Sequence, residues 1–189
     1  MNVLHRWLCR SDGWQRIIRE RVPWVLSDSD LGSDVLEVGP GPGLTTDLIR
    51  LRTRHLTALE IDPELAESLR QRLGNSNVDI ITGDGTAMPF PDNRFSGAVS
   101  FTMLHHVPSS ELQNRLLREV RRVLKPGGVF AGSDSRQSLI MRVIHIGDTL
   151  VPVDPDTFGQ RLEAAGFEVL AIEKKSEVFR FRARRPAMG

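Results

Sequence analysis

The stretch "DVLEVGPGPGLTT", Asp34–Thr46, sets three glycines and two prolines between an apolar run and a helix-like segment. "DVLEVG" is short and apolar, the pattern of a strand buried on both faces of a parallel sheet. Glycines at such spacing let a ligand touch the backbone, since a Cβ would hold it away. Where they end a strand and open a helix, unpaired N–H groups and the helix dipole favour an anionic group. Which ligand the turn serves depends on the rest of the chain.

Downstream, strand and helix patterns alternate. "HLTALEI", His55–Ile61, is a second strand that runs into "DPELAESLRQRLGN". There Asp62 can cap a helix, Pro63 suits its first turn, and Leu65, Leu69 and Leu73 recur at four-residue spacing. "VDIITGD" and "FSGAVSFT" are the third and fourth strands. "SSELQNRLLREVRRVLKPGG" is the clearest helix, with Ser110 and Gln113 placed as a capping box, Leu112, Leu116, Val120 and Val123 on one face, and Pro126-Gly127 as its stop. "GVFAGSDS" is the fifth strand, and "DPDTFGQRLEAAG" repeats the Asp-Pro helix start. The closing "FEVLAIEKKSEVFRFRARRP" is two strands joined by a turn, which makes them antiparallel. The expected fold class is α/β: a doubly wound, mostly parallel seven-stranded sheet with one antiparallel end strand and helices on both faces. Residues 1–33 read as an N-terminal helical segment and connector on the substrate side, and residues 34–189 as the ligand-binding domain.

Composition agrees with one globular unit. The chain has 189 residues, 40% of them hydrophobic and 26% charged, enough to bury a core without disulfides or metals. The lone Cys9 cannot form an intrachain bridge, and no signal-peptide core or membrane-length run is present, so the expected localisation is cytoplasmic. A net charge of +1 gives no general pull toward nucleic acid.

Three features narrow the ligand. The spacing is Gly39-x-Gly41-x-Gly43, and Leu44 stands where the dinucleotide fingerprint has its third glycine. No Gly-Lys-Ser/Thr follows, which excludes a phosphate-cradling P-loop. Glu60 ends the second strand, where a carboxylate can accept from both hydroxyls of a ribose. Taken with these, "LEVGPGPG", "ALEIDPELA", "ITGDGTAMPFPDNRFSGAVS" and "LREVRRVLKPGGVF" resemble, in order and spacing from about Asp34 to Phe130, the class I S-adenosylmethionine (SAM)-dependent methyltransferases. These have a Rossmann-like fold and release S-adenosylhomocysteine (SAH).

The resemblance implies roles by position. Glu37 and the amides of Gly39, Gly41 and Gly43 would hold the methionine end of SAM. Glu60 would bind the ribose and Ile61 would pack on adenine. Asp84 would accept from the adenine amino group, with Gly85 and Thr86 along the same edge, and Phe101 would floor the site beneath the sulfonium. Each position also has a plainer reading: a tight turn for the glycines, a strand-end surface residue for Glu60, a turn former for Asp84.

The methyl of SAM is already activated, so the protein supplies position and surroundings, and a base only where the acceptor carries a proton. His105 and His106 in "FTMLHHVP" are the candidate catalytic residues, since histidine titrates near neutrality and this loop follows the fourth strand at the binding edge. Their plainer reading is loop packing. No metal site is expected, because adjacent histidines rarely converge on one ion. His145 is a weaker candidate, and Asp134 fits either a substrate contact or a cap.

The stretch "MLHHVP" lacks the Pro-Pro-aromatic motif of base-amino methylation, and Arg180, Arg182 and Arg184 alternate with Phe179, Phe181 and Ala183 as on a strand with one wet face. A small apolar or aromatic acceptor is therefore expected, methylated on O, N or C, and nucleic acid is the poorer partner. The short insert "RQSLIMRVIHIGDTLVPV" leaves little lid, so Trp7, Trp14 or a second subunit of a homodimer would have to exclude water. A nicotinamide-dependent dehydrogenase and a catalytically silent SAM-binding module are the alternatives.

Overall fold

The computed structural model describes residues 11–136 and 149–187. Trp7, Cys9, His145 and most of the insert after the fifth strand lie outside these residues. The elements, in order, are α1 (Asp12–Leu26), β1 (Asp34–Val38), α2 (Leu44–Ile49), β2 (His55–Glu60), α3 (Pro63–Leu73), β3 (Val78–Thr82), β4 (Phe95–Phe101), a 3₁₀ turn (Leu104–His106), α4 (Ser110–Val123), β5 (Leu124–Ser135), α5 (Pro155–Ala164), β6 (Glu168–Lys174) and β7 (Val178–Arg184). The sheet runs β3-β2-β1-β4-β5-β7-β6, with β1 parallel to both β2 and β4. β7 is the antiparallel strand. It is inserted between β5 and β6, so the edge strand β6 runs parallel to the body of the sheet.

Alternation along the strands feeds two hydrophobic layers. Leu36, Val38, Ala98 and Phe130 pack on one face with α4 and α5, while Val35, Val99 and Ala131 pack on the other with α1, α2 and α3. Phe130, Phe158, Phe179 and Phe181 interlock on the first face, with Phe181 centred 4.9 Å from Phe130 and 5.0 Å from Phe158. The doubly wound, seven-stranded arrangement is the one expected.

Local signals act as their chemistry requires. Asp62 caps α3 by accepting from the amides of Glu64 (2.9 Å) and Leu65 (3.2 Å), with Pro63 in the first turn. Two expectations differ. The cap of α4 is Ser109, whose hydroxyl accepts from Leu112 N–H (3.2 Å), rather than Ser110. Gln113 is turned inward, its amide donating to Leu104 O (3.0 Å) and Val151 O (2.9 Å), so it cannot reach back to the cap. α4 also ends before Pro126-Gly127, because Leu124 is already buried and paired with Phe95 across an irregular strand start.

The arginine face of β7 is only partly wet. Arg180 donates to Trp24 O at the carboxyl end of α1 and lies 5.1 Å from the Trp24 ring, while Lys175 lies 4.1 Å from it. Cations there complement the negative end of the helix dipole and hold α1 against the sheet. Among the described residues no helix is long and apolar enough to cross a membrane.

Candidate active site

The strand order reverses between β1 and β4, and a cavity of about 680 Å³ opens beyond the carboxyl ends of these strands. Gly39, Gly41, Glu60, Ile61, Asp84, Gly85, Thr86, Phe101, His105 and His106 all line it; Glu37 and Gly43 do not. Chain reversal after β4 is abrupt. Thr102 has φ +49, costly for a β-branched residue, and its N–H donates to Ser133 O (2.8 Å). That bend carries Met103 and the 3₁₀ turn onto the cavity wall.

The glycines of the turn separate by function. A Cβ on Gly41 (φ +56) would meet nothing within 4 Å, so its backbone faces open cavity. A Cβ on Gly43 (φ +86) would run into Leu69 and Arg72 of α3, so that position serves helix packing. Arg72 also ties the back of the turn to α2, donating twice to Asp47 at 2.7 Å and to Pro42 O at 3.2 Å. Gly39 donates its N–H to Leu59 O (2.9 Å), joining the turn to β2.

Glu60 is buried at the rim. One carboxylate oxygen accepts from Gly41 N–H (2.9 Å) and the other from Asp62 N–H (3.0 Å). A carboxylate offers about four lone-pair directions, so each oxygen keeps capacity for a hydroxyl of a ligand. Ile61 beside it is exposed, an apolar surface at the cavity mouth. Asp84 closes a local turn, accepting from Thr86 N–H (2.7 Å) and Thr86 O–H (2.9 Å). The turn so closed lies on the cavity wall.

Glu37 lies behind the turn, fully buried, accepting from the hydroxyls of Thr45 and Thr46, the latter at 2.7 Å. Burial pushes its carboxyl up to about 7, against the pull of these two hydroxyls and with a further push from Asp47 and Glu60. Thr45 is on the cavity wall and stands between Glu37 and the ligand space.

On the turn after β4, His105 is buried, with Nδ1 2.5 Å from Asp134 Oδ1. Its backbone N–H donates to Asp134 Oδ2 (3.3 Å) and its carbonyl accepts from Val151 N–H (2.8 Å). The His106 ring is centred 4.2 Å away. Trp14 and Ile17 of α1 also line the cavity, with Arg21 5.4 Å from the Trp14 ring. Burial lowers the Arg21 pKa, opposed by the nearby Asp134 carboxylate. Asp134 and Gln113 are the contributors that the sequence left undecided or misplaced. No local pattern marks either partner, since Asp134 is 29 residues from His105. His55 bridges Asp34 (3.2 Å) and Asp79 (3.1 Å) at the far end of β1–β3, away from the cavity.

Comparison with known proteins fits this geometry. The family described as "Methyltransferase domain" matches residues 36–132, just over half of the chain. The sterol 24-C-methyltransferase ERG6B of Gibberella zeae is 32% identical over 159 residues, covering 75% of this chain and 41% of that protein. The rRNA adenine N-6-methyltransferase of Saccharopolyspora erythraea is 39% identical over 94 residues, covering 46% and 25%. The chain thus spans less than half the length of either relative. Among solved structures, a SAM-dependent methyltransferase from Aquifex aeolicus superposes with a TM-score of 0.70 at 20% identity, over 90% of this chain and 98% of that one. The backbone open at Gly41 and the spare acceptor capacity of Glu60 suit SAM, the family's cofactor. The chain belongs to the methyltransferase-domain family, with the class I fold of the SAM-dependent methyltransferases.

Proposed function

We propose that this chain transfers the methyl group of SAM in line to a small apolar or aromatic acceptor. One observation carries the reading: a single cavity is lined by the glycine turn and Glu60, by the apolar residues Trp14, Ile17, Ile18, Val107 and Leu112, and by His105 and His106. Its volume, about 680 Å³, is in the range of small-molecule sites. In this reading Gly41 and Glu60 hold the methionine and ribose portions, Ile61 and Asp84–Thr86 flank adenine, and Phe101 floors the reacting end. Bound SAM supplies a methyl group whose leaving group is a neutral thioether. The chain's task is alignment, which can lower a barrier by roughly 7–11 kcal/mol, and exclusion of water.

The sterol-methylating relative supports an apolar acceptor. The rRNA-methylating relative supports a base, but here the stretch after β4 forms a 3₁₀ turn bearing two histidines, without the Pro-Pro-aromatic motif. Calorimetric titration with SAH tests the donor half. Glu60→Ala should weaken binding by about 1.5–3 kcal/mol, the loss of charge-assisted hydrogen bonds. Unchanged affinity would remove Glu60 from the site. Methyl-labelled SAM, incubated separately with metabolite extract and with ribosomal RNA, tests the acceptor half. Label entering RNA alone would refute the small-molecule reading, and label entering neither would favour a silent binding module.

A further inference from the structure

We infer that Glu37 senses the charge of the methyl donor: it holds a proton while the cavity is empty and releases it when the cation SAM binds, so that the site favours SAM over its neutral product SAH. This rests on the SAM-binding reading above and adds to it a residue set behind the cavity wall. Glu37 does not itself line the cavity, yet a single side chain links it to one that does. Thr45, on the wall, donates its hydroxyl to one carboxylate oxygen, and Thr46 donates to the other at 2.7 Å. The kind of partner distinguishes this carboxyl from its neighbour. Glu60 accepts from the backbone N–H groups of Gly41 and Asp62, which only donate and so favour a charged carboxylate. A threonine hydroxyl donates or accepts. The two at Glu37 therefore satisfy the carboxylate and, with one O–H turned round, the protonated carboxyl as well. The site is built for both states.

The balance between them is set by what surrounds the group. Burial, and then the two acidic groups that face it, Asp47 of α2 and Glu60 of β2, hold the carboxyl up to about 7 against the pull of the hydroxyls. Arg72 of α3 offers no compensation, because it is paired with Asp47 at 2.7 Å. The cavity has the same sign. Glu60, Asp62 and Asp84 line it, and none of the described lining residues is a lysine or arginine. A space of that sign draws in a cation, and a cation beside a buried acid lowers the cost of ionising it. SAM carries one net positive charge, whereas SAH, with a thioether in place of the sulfonium, carries none. When SAM binds, the Glu37 O–H bond breaks, its electron pair stays on the carboxylate, and the proton passes to solvent. Once the methyl group has been transferred the positive charge is gone, and Glu37 takes a proton back. The hold on the product is weakened accordingly.

Calorimetric titration of the wild type with SAM at pH 6.5, in two buffers of different ionisation enthalpy, counts the protons exchanged. About half a proton should leave for each SAM bound, and clearly less for each SAH. The sign follows from linkage: the charged form binds SAM better, so SAM affinity should rise at least about fivefold from pH 6 to pH 8. In Glu37→Gln, which cannot titrate, the proton release should vanish and the affinity should lose this pH dependence. Difference infrared spectra of the wild type labelled with ¹³C-glutamate read the group without any variant. A protonated-carboxyl stretch at pH 6.5 should disappear on adding SAM and persist with SAH. SAM binding without proton release, release unchanged in Glu37→Gln, equal release with SAH, or a protonated-carboxyl stretch that survives saturation with SAM would each overturn the inference. The infrared result decides even if the variant does not fold. A wild type that binds neither SAM nor SAH would instead refute the SAM-binding reading.

Discussion

Replacing Glu37 by glutamine should remove a pH dependence of folding that the structure places in one side chain. Glu37 is enclosed behind the glycine turn, with two threonine hydroxyls for partners. Its carboxyl titrates at about 7 in the fold, against 4.5 for the free group, chiefly because burial disfavours the charge. A carboxyl with a raised folded pKa contributes its full stability below about 4.5 and loses it as pH rises through about 7. The free-energy difference between the two limits is about 3 kcal/mol, of which about 2–3 kcal/mol falls between pH 5 and pH 8. The carboxamide of the variant would keep an acceptor oxygen for one of the threonines and would not titrate. Urea unfolding of wild type and Glu37→Gln, each without ligand at several values from pH 5 to pH 8, gives the measurement. The variant should gain on the wild type by that amount as pH rises. A constant difference, or a wild type that gains instead, would refute the argument that burial controls this group.

Two further outcomes separate packing from ligand contact. Gly41→Ala should cost about 1–2 kcal/mol of stability for its positive φ, yet lower SAH affinity, because the added methyl projects into open cavity. Gly43→Ala carries the same backbone cost plus a clash with Leu69 Cδ2, so it should be the less stable of the two in denaturant titration; the reverse order would refute the division of roles. Phe181→Ala should lose about 3–5 kcal/mol in the same assay, since its ring is buried between Phe130 and Phe158, and a loss below about 1 kcal/mol would show that the aromatic cluster is not the core of its layer.

What the chain determined locally can be read residue by residue. Asp62-Pro63 and Asp154-Pro155 start helices because a carboxylate caps free amides and proline fits the first turn. Buried apolar runs make parallel strands, and a short turn near residue 176 makes the last two antiparallel. The glycine turn, Glu60 and Asp84 follow strand ends, and strand ends of a doubly wound sheet meet at one edge. That much of the site was therefore legible.

Tertiary structure decided the rest. Three glycines look alike in sequence, but only the position of α3 makes Gly43 a packing residue and leaves Gly41 facing the cavity. Gln113 reads as half of a capping box until the fold brings Leu104 and Val151 within its reach. His105 and Asp134 carry no mutual signal, because hydrophobic periodicity records which face a residue takes and not which strand will lie beside it. Placing β5 next to β4 puts the carboxylate 2.5 Å from the imidazole. Close polar pairs depend on the crossover connections that order the sheet, and those are settled only when both hydrophobic layers are buried together.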